Sequence, residues 1–581
     1  MGSPNTYPPA SDRFALELLL RMTFSALVDA DSLDTEEHFD PARSAVRQRT
    51  TLTVSELLTT LERSHAALED ERDPTPVNAA RRAIRRQCVA AAAWEPGLYR
   101  LAAPTGAGKT LAGMAFALAH AVRHGLRRVV VAVPFTSITE QTAGVYRAIF
   151  GDDAVLEHHS AIDPERMAAA SPRSRLWAML GADNWDAPVV VTTTIQLFES
   201  LFSNRRIATR KLHRLARSVI VIDEVQALPV GLMTPIMEML GLLCRQYGCT
   251  VVLSSATQPA TIGRLPALEH ARHLVPDYAT HFDHLRRVDW SQAAQPWTAE
   301  RVAEELRRER RGLAVLNTRA DALRVLDKCP PGALHLSTLL CGAHRRTVLN
   351  EVRRQLAAGE TCHLVSTQVV EAGVDVDFPV VLRALAPFDS IVQAGGRCNR
   401  EGRAGLGRVV VFEMPGRRTP PGAYHTGTDI TGTMLARGPV DFDDPAPATE
   451  YFSWLYDRVS LDRPRVREAQ LRLAFADVAE RFRMITQDTT PVLVPYDATA
   501  IELARQIQGL EGDAGSPGRA RGLLRSIQPY TVALRERDLD EANRRGWLRD
   551  GPLPVWTGPY DGVCGVGALL ASPREDGEVT W

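Results

Sequence analysis

The stretch Ala103-Pro104-Thr105-Gly106-Ala107-Gly108-Lys109-Thr110 constrains this chain more than any other. It lies between the apolar Gly97-Leu98-Tyr99-Arg100-Leu101 and the helix-forming run Leu111 to Leu118, so it reads as a strand, a loop and a helix. Gly106 and Gly108 let the backbone curl until successive N–H groups face a phosphate, and the helix that follows adds the positive end of its dipole. Thr105, Gly106, Ala107 and Gly108 then form a cradle, Lys109 reaches the β- and γ-phosphates, and the Thr110 hydroxyl can ligate Mg²⁺. ATP with Mg²⁺ is therefore the expected ligand pair. Against the general pattern G-x-x-x-x-G-K-[ST], Ala103 replaces the first glycine. A Gly-rich turn that binds nothing is the plain alternative, and the rest of the chain decides between them.

The segments that follow repeat a strand-then-helix pattern. Arg128 to Pro134 and Val189 to Thr193 are β-branched runs bounded by turn residues, as buried parallel strands should be. Pro134 and Thr136 after the first, and Thr193 and Gln196 after the second, are candidates for contacts to a nucleic-acid backbone; helix capping explains the hydroxyls equally well. Ser218 to Gln226 is a strand that delivers Asp223 and Glu224 to its carboxyl end, where open α/β sheets bind ligands. Asp223 can hold Mg²⁺ through water and Glu224 can act as general base on the water that attacks the γ-phosphate, with Gln226 two residues on. Thr250 to Thr257 is a further strand ending in a hydroxyl-rich turn, suited to coupling those carboxylates to a bound strand.

A second α/β unit starts near residue 290, with strands at Gly312 to Thr318, Ala333 to Thr338 and Cys362 onward. Its Ser337 and Thr367 are the corresponding strand-end hydroxyls, and Gly373 and Asp375 could face a nucleotide ribose. Arg397 and Arg400, three apart, read as one face of a helix from which both reach a γ-phosphate. A surface ion-paired couple is the alternative. Neither unit carries a complete ATP site, so the sequence places ATP between them. Residues 415–450 are rich in Pro, Gly and Asp and read as a linker; Tyr451 to Arg483 reads as helical; and a small mixed α+β region follows, with a Gly/Pro break at 512–518.

The balance of 68 Lys+Arg against 69 Asp+Glu announces no global field, and a basic groove would suffice for phosphate contacts. Eight scattered Cys without a C-x-x-C pair indicate reduced thiols rather than a disulfide or zinc framework. The first residues lack a basic-then-apolar leader, and residues 1–10 read as disordered. No stretch supplies the roughly 18 apolar residues of a membrane helix. A cytoplasmic, membrane-free monomer is expected.

Taken in order, Ala-Pro-Thr-Gly-Ala-Gly-Lys-Thr, Asn184-Trp185-Asp186-Ala187-Pro188, Gln196-Leu197-Phe198-Glu199-Ser200, Asp223-Glu224-Val225-Gln226-Ala227, Ser254-Ser255-Ala256-Thr257 and Gln393 to Arg400 resemble the superfamily 2, DExH-type CRISPR-associated helicase-nucleases of type I interference. Glu157-His158-His159-Ser160, Arg481 to Ile485, Val494 to Asp497 and Gln528-Pro529-Tyr530 fit the same pattern. Ala103 is itself the superfamily 2 form of the loop. The resemblance implies α/β architecture with tandem RecA-like parallel-sheet domains, a small C-terminal α+β domain and an N-terminal helical remnant. The expected boundaries are 1–50 for the remnant, 51–285 and 286–414 for the RecA-like domains, 415–480 for a linker with helices, and 481–581 for the accessory domain.

It further implies an ATP-driven single-stranded DNA translocase of 3′-to-5′ polarity, recruited to target DNA by the Cascade surveillance complex, with Gln87 on the upstream helix reading adenine; an exposed basic helix face is the alternative there. Relatives commonly begin with an HD nuclease domain whose metals are held by several His and Asp, including a His-Asp pair. None of the fifteen His here precedes Asp, and Asp29, in the helix beginning at Phe14, is the one residue matched to such a ligand. One carboxylate cannot assemble a two-metal site, so no nuclease activity of its own is expected, and a separate HD nuclease chain becomes a candidate partner. Two alternatives stay open: another superfamily 2 DNA or RNA helicase, and a shortened, non-catalytic relative that only binds the surveillance complex or DNA.

Overall fold

The computed structural model describes residues 12–47, 52–71, 75–159, 172–258, 264–371, 373–402, 405–416, 418–485, 489–509, 522–524 and 526–570. The expectations for residues 1–10, Ser160 and 512–518 lie outside them. The chain forms two compact units, one drawn from Met1–His159, Glu165–Arg286 and Asp441–Ile485, the other from Arg287–Val440 and Thr486–Trp581.

In the first unit, strands β1 (Leu98–Ala102), β2 (Arg128–Val133), β3 (Val155–His158), β4 (Val189–Thr193), β5 (Ser218–Ile222), β6 (Thr250–Ser255) and β7 (Arg272–His273) form one parallel sheet in the order β3-β4-β2-β5-β6-β1-β7. Every residue of β2, β4, β5 and β6 is buried, which is why these strands are continuous apolar runs rather than alternating ones. Val129, Val131 and Val133 pack with Met114, Phe116 and Leu118 of the helix Lys109–His124.

The helix Arg13–Phe39 starts where the Asp12 carboxylate accepts the Ala15 N–H at 3.0 Å. It is fastened by buried charge. Arg21 pairs with Glu17 at 2.6 Å, donates to the Ser203 carbonyl at 2.6 Å and lies over the Phe475 ring. Burial holds the Glu17 carboxyl above its ordinary pKa in spite of Arg21. Residues 441–485 return to this unit as the helices Pro445–Arg458, Val466–Leu471 and Phe475–Arg481, held by Arg467 on Glu238 at 2.7 Å and by Phe482 stacked on Phe202.

The second unit holds the parallel sheet β10-β11-β9-β12-β13-β8, built from β8 (Val288–Gln292), β9 (Arg311–Val315), β10 (Leu334–Leu336), β11 (Cys362–Ser366), β12 (Val380–Ala384) and β13 (Gly407–Phe412). A four-stranded mixed sheet follows, in the order β15-β14-β17-β16, from β14 (Thr489–Leu493), β15 (Thr531–Arg535), β16 (Leu548–Arg549) and β17 (Val555–Trp556). His344, on the helix Gly342–Ala358, joins the two sheets. It stacks on Tyr496, meets the Tyr560 hydroxyl at 2.9 Å and donates from Nε2 to the Gly562 carbonyl at 3.0 Å.

Two expectations are corrected. The stretch read as a linker contains the helix Ala423–Arg437, whose Pro420-Pro421-Gly422 and Gly438-Pro439 flanks gave the whole segment a loop-like composition. The helix Phe388–Gly395 ends before Arg397, because Gly395-Gly396 releases the chain into a turn and Cys398 bridges to Phe378. Arg397 and Arg400 therefore do not share a helical face.

Removing one member of a buried ion pair strands the other charge, at a cost of order 3 kcal/mol. Arg21→Ala should accordingly lower the first thermal unfolding midpoint by several degrees in calorimetry, and an unchanged midpoint would show that Glu17 needs no partner.

Candidate active site

The loop after β1 has the shape its glycines were expected to permit. Gly106 and Gly108 have φ of +78° and +81°, a region that side-chain-bearing residues rarely adopt, and Gly108 caps the helix Lys109–His124. Ala103 is fully buried and packs in the core beneath the loop, so a methyl group is accommodated where the general pattern has glycine. Lys109 Nζ lies across the loop, donating to the carbonyls of Ala103 at 3.0 Å and Pro104 at 3.3 Å. Thr110 stands in the first turn of the helix.

The helix Pro76–Ala91 supports the loop from outside. Arg81 donates from Nε to the Gly106 carbonyl at 2.9 Å, and its Cγ lies 3.4 Å from where a Cβ on Gly108 would stand. Arg81 belongs to the basic face of this helix, and its place 25 residues ahead of Gly106 gives no sign of this buttress in the sequence. Gln87, the residue expected to read adenine, has its Nε2 3.5 Å from Nε2 of His281.

The β5–β6 register sets Ile222 beside Leu253, so Asp223 meets Ser254 one residue on. Ser254 Oγ donates to Asp223 Oδ1 at 2.8 Å, and the Glu224 N–H does so at 3.1 Å. Glu224 is left-handed at φ 50°, ψ 53°, which turns the chain sharply after the strand. Gln226 Nε2 donates to Glu224 Oε2 at 2.6 Å; the Ser255 hydroxyl in turn donates to Gln226 Oε1 and accepts the Thr257 N–H at 2.9 Å. The hydroxyl-rich turn after β6 is thus wired to both carboxylates. Burial, with Glu224 adjacent, raises the Asp223 pKa from its ordinary value near 3.8 to about 6, although Lys109 and Ser254 pull the other way.

Of the nucleic-acid candidates in this unit, Thr193 caps the helix Thr194–Phe202 by accepting the Gln196 N–H at 3.1 Å, and Gln196 Nε2 donates to Ser200 Oγ at 2.9 Å. Pro134 and Thr136 stand where β2 gives way to the helix Thr136–Phe150. In the second unit, Ser337 is fully buried against His335 and the Leu339 N–H, so its hydroxyl faces the interior. Thr367 is nearly buried and donates its N–H to the Leu336 carbonyl at 3.1 Å. Gly373 has φ +74°, and Asp375 pairs with Arg400 at 2.9 Å. Arg397 donates to the carbonyls of Val370 and Glu371 at 3.0 and 2.5 Å.

Asp29 has a different setting from the metal ligand it was matched to. Its carboxylate is gripped by Arg210 at 2.6 Å and Asn184 at 3.2 Å, with His213 at 3.5 Å and Arg214 at 3.9 Å. A carboxylate so surrounded by cations is already compensated. Among the described residues no group of three or more His, Cys, Asp or Glu stands close enough to hold a metal ion, and no helix is long and apolar enough to cross a membrane.

A phosphate loop with two carboxylates at the carboxyl edge of a parallel sheet, followed by a second parallel-sheet unit, defines a tandem RecA-like α/β protein. Residues 82–265 match the DEAD/DEAH box helicase model, and residues 309–403 match the C-terminal model of the CRISPR-associated nuclease/helicase Cas3. The chain is 28% identical over 496 residues to the CRISPR-associated nuclease/helicase Cas3 of Haloferax volcanii, with 63% of this chain and 52% of that protein covered. It therefore spans about half the length of that curated relative. T. fusca Cas3 crystal structures share the fold: one alone (TM-score 0.58, 19% identity, covering 87% of this chain and 67% of that one) and one with AMPPNP (0.56, 20%, 84% and 66%). The resemblance to the CRISPR-associated helicase-nucleases holds.

A folded-state pKa above the unfolded value contributes stability that is full below about pH 4 and lost as pH rises through about 6. At about pH 8, without nucleotide or divalent cation, the chain therefore bears the cost of a partly desolvated Asp223 carboxylate. Asp223→Asn should raise the melting temperature there by a few degrees, with the gap narrowing toward pH 5. Equal melting curves at both pH values would contradict the burial argument.

Proposed function

We propose that this chain is an ATP-dependent translocase and helicase on single-stranded DNA, moving 3′ to 5′ in CRISPR type I interference after recruitment by the Cascade surveillance complex. The observation that carries the catalytic part is the continuous hydrogen-bonded path from Asp223 and Glu224 to the Ser254-Ser255-Ala256-Thr257 turn. It links the groups suited to hydrolysis with the buried turn that closes β6, through which a change at the carboxyl edge of the sheet would reach them.

In this reading the Gly106–Thr110 backbone and Lys109 bind the triphosphate. Lys109 leaves the Ala103 and Pro104 carbonyls, to which it is tied only by neutral acceptors, for the stronger charge-assisted contact with phosphate oxygens. The Thr110 hydroxyl and Asp223 carboxylate are hard oxygen donors that fit Mg²⁺, and a divalent charge would compensate the carboxylate that burial otherwise disfavours. The ion would neutralise developing phosphate charge. Glu224, held by Gln226, orients and deprotonates the attacking water. Arg397 and Arg400 are assigned to the γ-phosphate, Gly373 and Asp375 to the ribose and Gln87 to the adenine. Pro134, Thr136, Thr193, Gln196 and Thr367 are assigned to the DNA backbone. Ser337 is assigned to shaping the strand end beside Thr367 rather than to direct contact, since its hydroxyl is turned inward.

ATP turnover by the purified chain should rise at least about tenfold with single-stranded DNA and fall below a hundredth of that level in Lys109→Ala, the scale of losing a principal phosphate contact. Stimulation by RNA but not DNA would overturn the substrate assignment, and unchanged turnover in Lys109→Ala would overturn the site.

The compensated state of Asp29 supports a chain without nuclease chemistry at that residue. Circular single-stranded DNA incubated with the chain and Mn²⁺, Ni²⁺ or Mg²⁺ should stay intact; metal-dependent nicking would refute this.

A further inference from the structure

The second unit carries a buried polar cluster that the proposed reaction does not use. Strand β11 ends at Ser366, the Thr367 N–H still bonds the Leu336 carbonyl of β10, and the chain then makes a short turn, Gln368–Val370. Side chains hold that turn. Gln368 Nε2 donates to the Asn317 carbonyl at 2.8 Å and to the Tyr424 hydroxyl at 3.2 Å. Glu371 pairs with Arg383 at 2.8 Å. On the other side, Arg397 grips the backbone carbonyls of Val370 and Glu371.

Arg383 sits in β12, between β9 and β13, and is wholly buried. Its Nη1 donates to the Asn317 side chain at 2.8 Å and to the Ala384 carbonyl at 2.9 Å, and its Nη2 to the Tyr424 hydroxyl at 2.9 Å. That hydroxyl donates to Asn317 Oδ1 at 2.9 Å while accepting from Arg383 and Gln368, which uses its one proton and both lone pairs. Burying an ion pair inside a parallel sheet gains little stability over apolar residues of the same volume. The cluster is therefore better explained by what it holds in place than by what it adds to the core.

We propose that Arg383, Glu371 and Tyr424 are positioning residues that hold the Thr367–Glu371 turn in register, so that Thr367 on one side and Arg397 on the other respond together to DNA. This rests on the function proposed above. None of the three touches the assigned nucleotide or DNA groups except through that turn. Tyr424 belongs to the helix Ala423–Arg437, so the pin also ties the turn to an element far along the chain.

Two variants of the full chain test it, Tyr424→Phe, which keeps the ring and removes the three-way hydroxyl, and Glu371→Gln, which keeps the shape and removes the charge. Amide hydrogen exchange of the peptide covering 366–371 should speed up at least about fivefold in Tyr424→Phe, the factor expected from losing about one net hydrogen bond. The DNA concentration for half-maximal ATPase stimulation should rise about threefold or more in both variants, while DNA-independent turnover stays within about twofold and the melting temperature is retained. Unchanged exchange would overturn the proposal, and so would faster exchange with unchanged half-stimulation, which marks a merely structural contact. Failure of the functional reading is seen separately, as a parent chain that DNA does not stimulate; exchange in Tyr424→Phe then decides whether the pin exists.

Discussion

The partial burial of one carboxylate, Asp223, governs the first unit. Asp223 stands at the end of a strand with no exposed residue, beside Glu224, and the nearby cation is Lys109. It is only partly open to water there, so Ser254, the Glu224 N–H and the Lys109 field share in stabilising its charge. These three come from β6, the turn after β5 and the loop after β1, and the parallel register of those strands brings them to one edge. A slip of one residue between β5 and β6 would turn Ser254 to the opposite face and leave the acid unpartnered. The fold and the chemistry thus share a single geometric requirement.

The second unit meets the same problem with the opposite sign. Its buried charge is a guanidinium in β12, paired with Glu371, whose two Nη groups are met by carbonyl, amide and phenol oxygens. Burial raises the Glu371 pKa to about 7 even beside Arg383. In both units these charged groups stand toward the carboxyl ends of parallel strands, where open α/β sheets bind ligands.

Much of this was legible in the residues. The runs that became β2, β4, β5 and β6 are apolar because both faces are covered, and that signal survives without any neighbour information. The phosphate loop and the adjacent Asp223-Glu224 pair were legible for the same local reason. What escaped reading depends on distant partners. In β12 the run Val380-Val381-Leu382-Arg383-Ala384 hides a strand behind an arginine that only Glu371 and Tyr424 make tolerable inside a core. β8 carries Asp289, Ser291 and Gln292 on a partly exposed edge and shows no apolar run. Arg397 and Arg400 have helical spacing, but Gly395-Gly396 breaks the helix first. Arg81 looks like solvent-facing charge until the Gly106 carbonyl is beside it.

The order in which the chain is synthesised adds a consequence. Arg21 lies over Phe475, roughly 450 residues further on, and Phe202 stacks on Phe482. At about 5–20 residues per second on the ribosome, Arg21 waits on the order of half a minute to a minute and a half for Phe475. All of Arg287–Val440 emerges in between. During that interval the helix Arg13–Phe39 carries the Glu17–Arg21 pair without its aromatic cover. The last packing of the first unit, Phe475 on Arg21 and Phe482 on Phe202, therefore closes only after the strands of the second parallel sheet have been made.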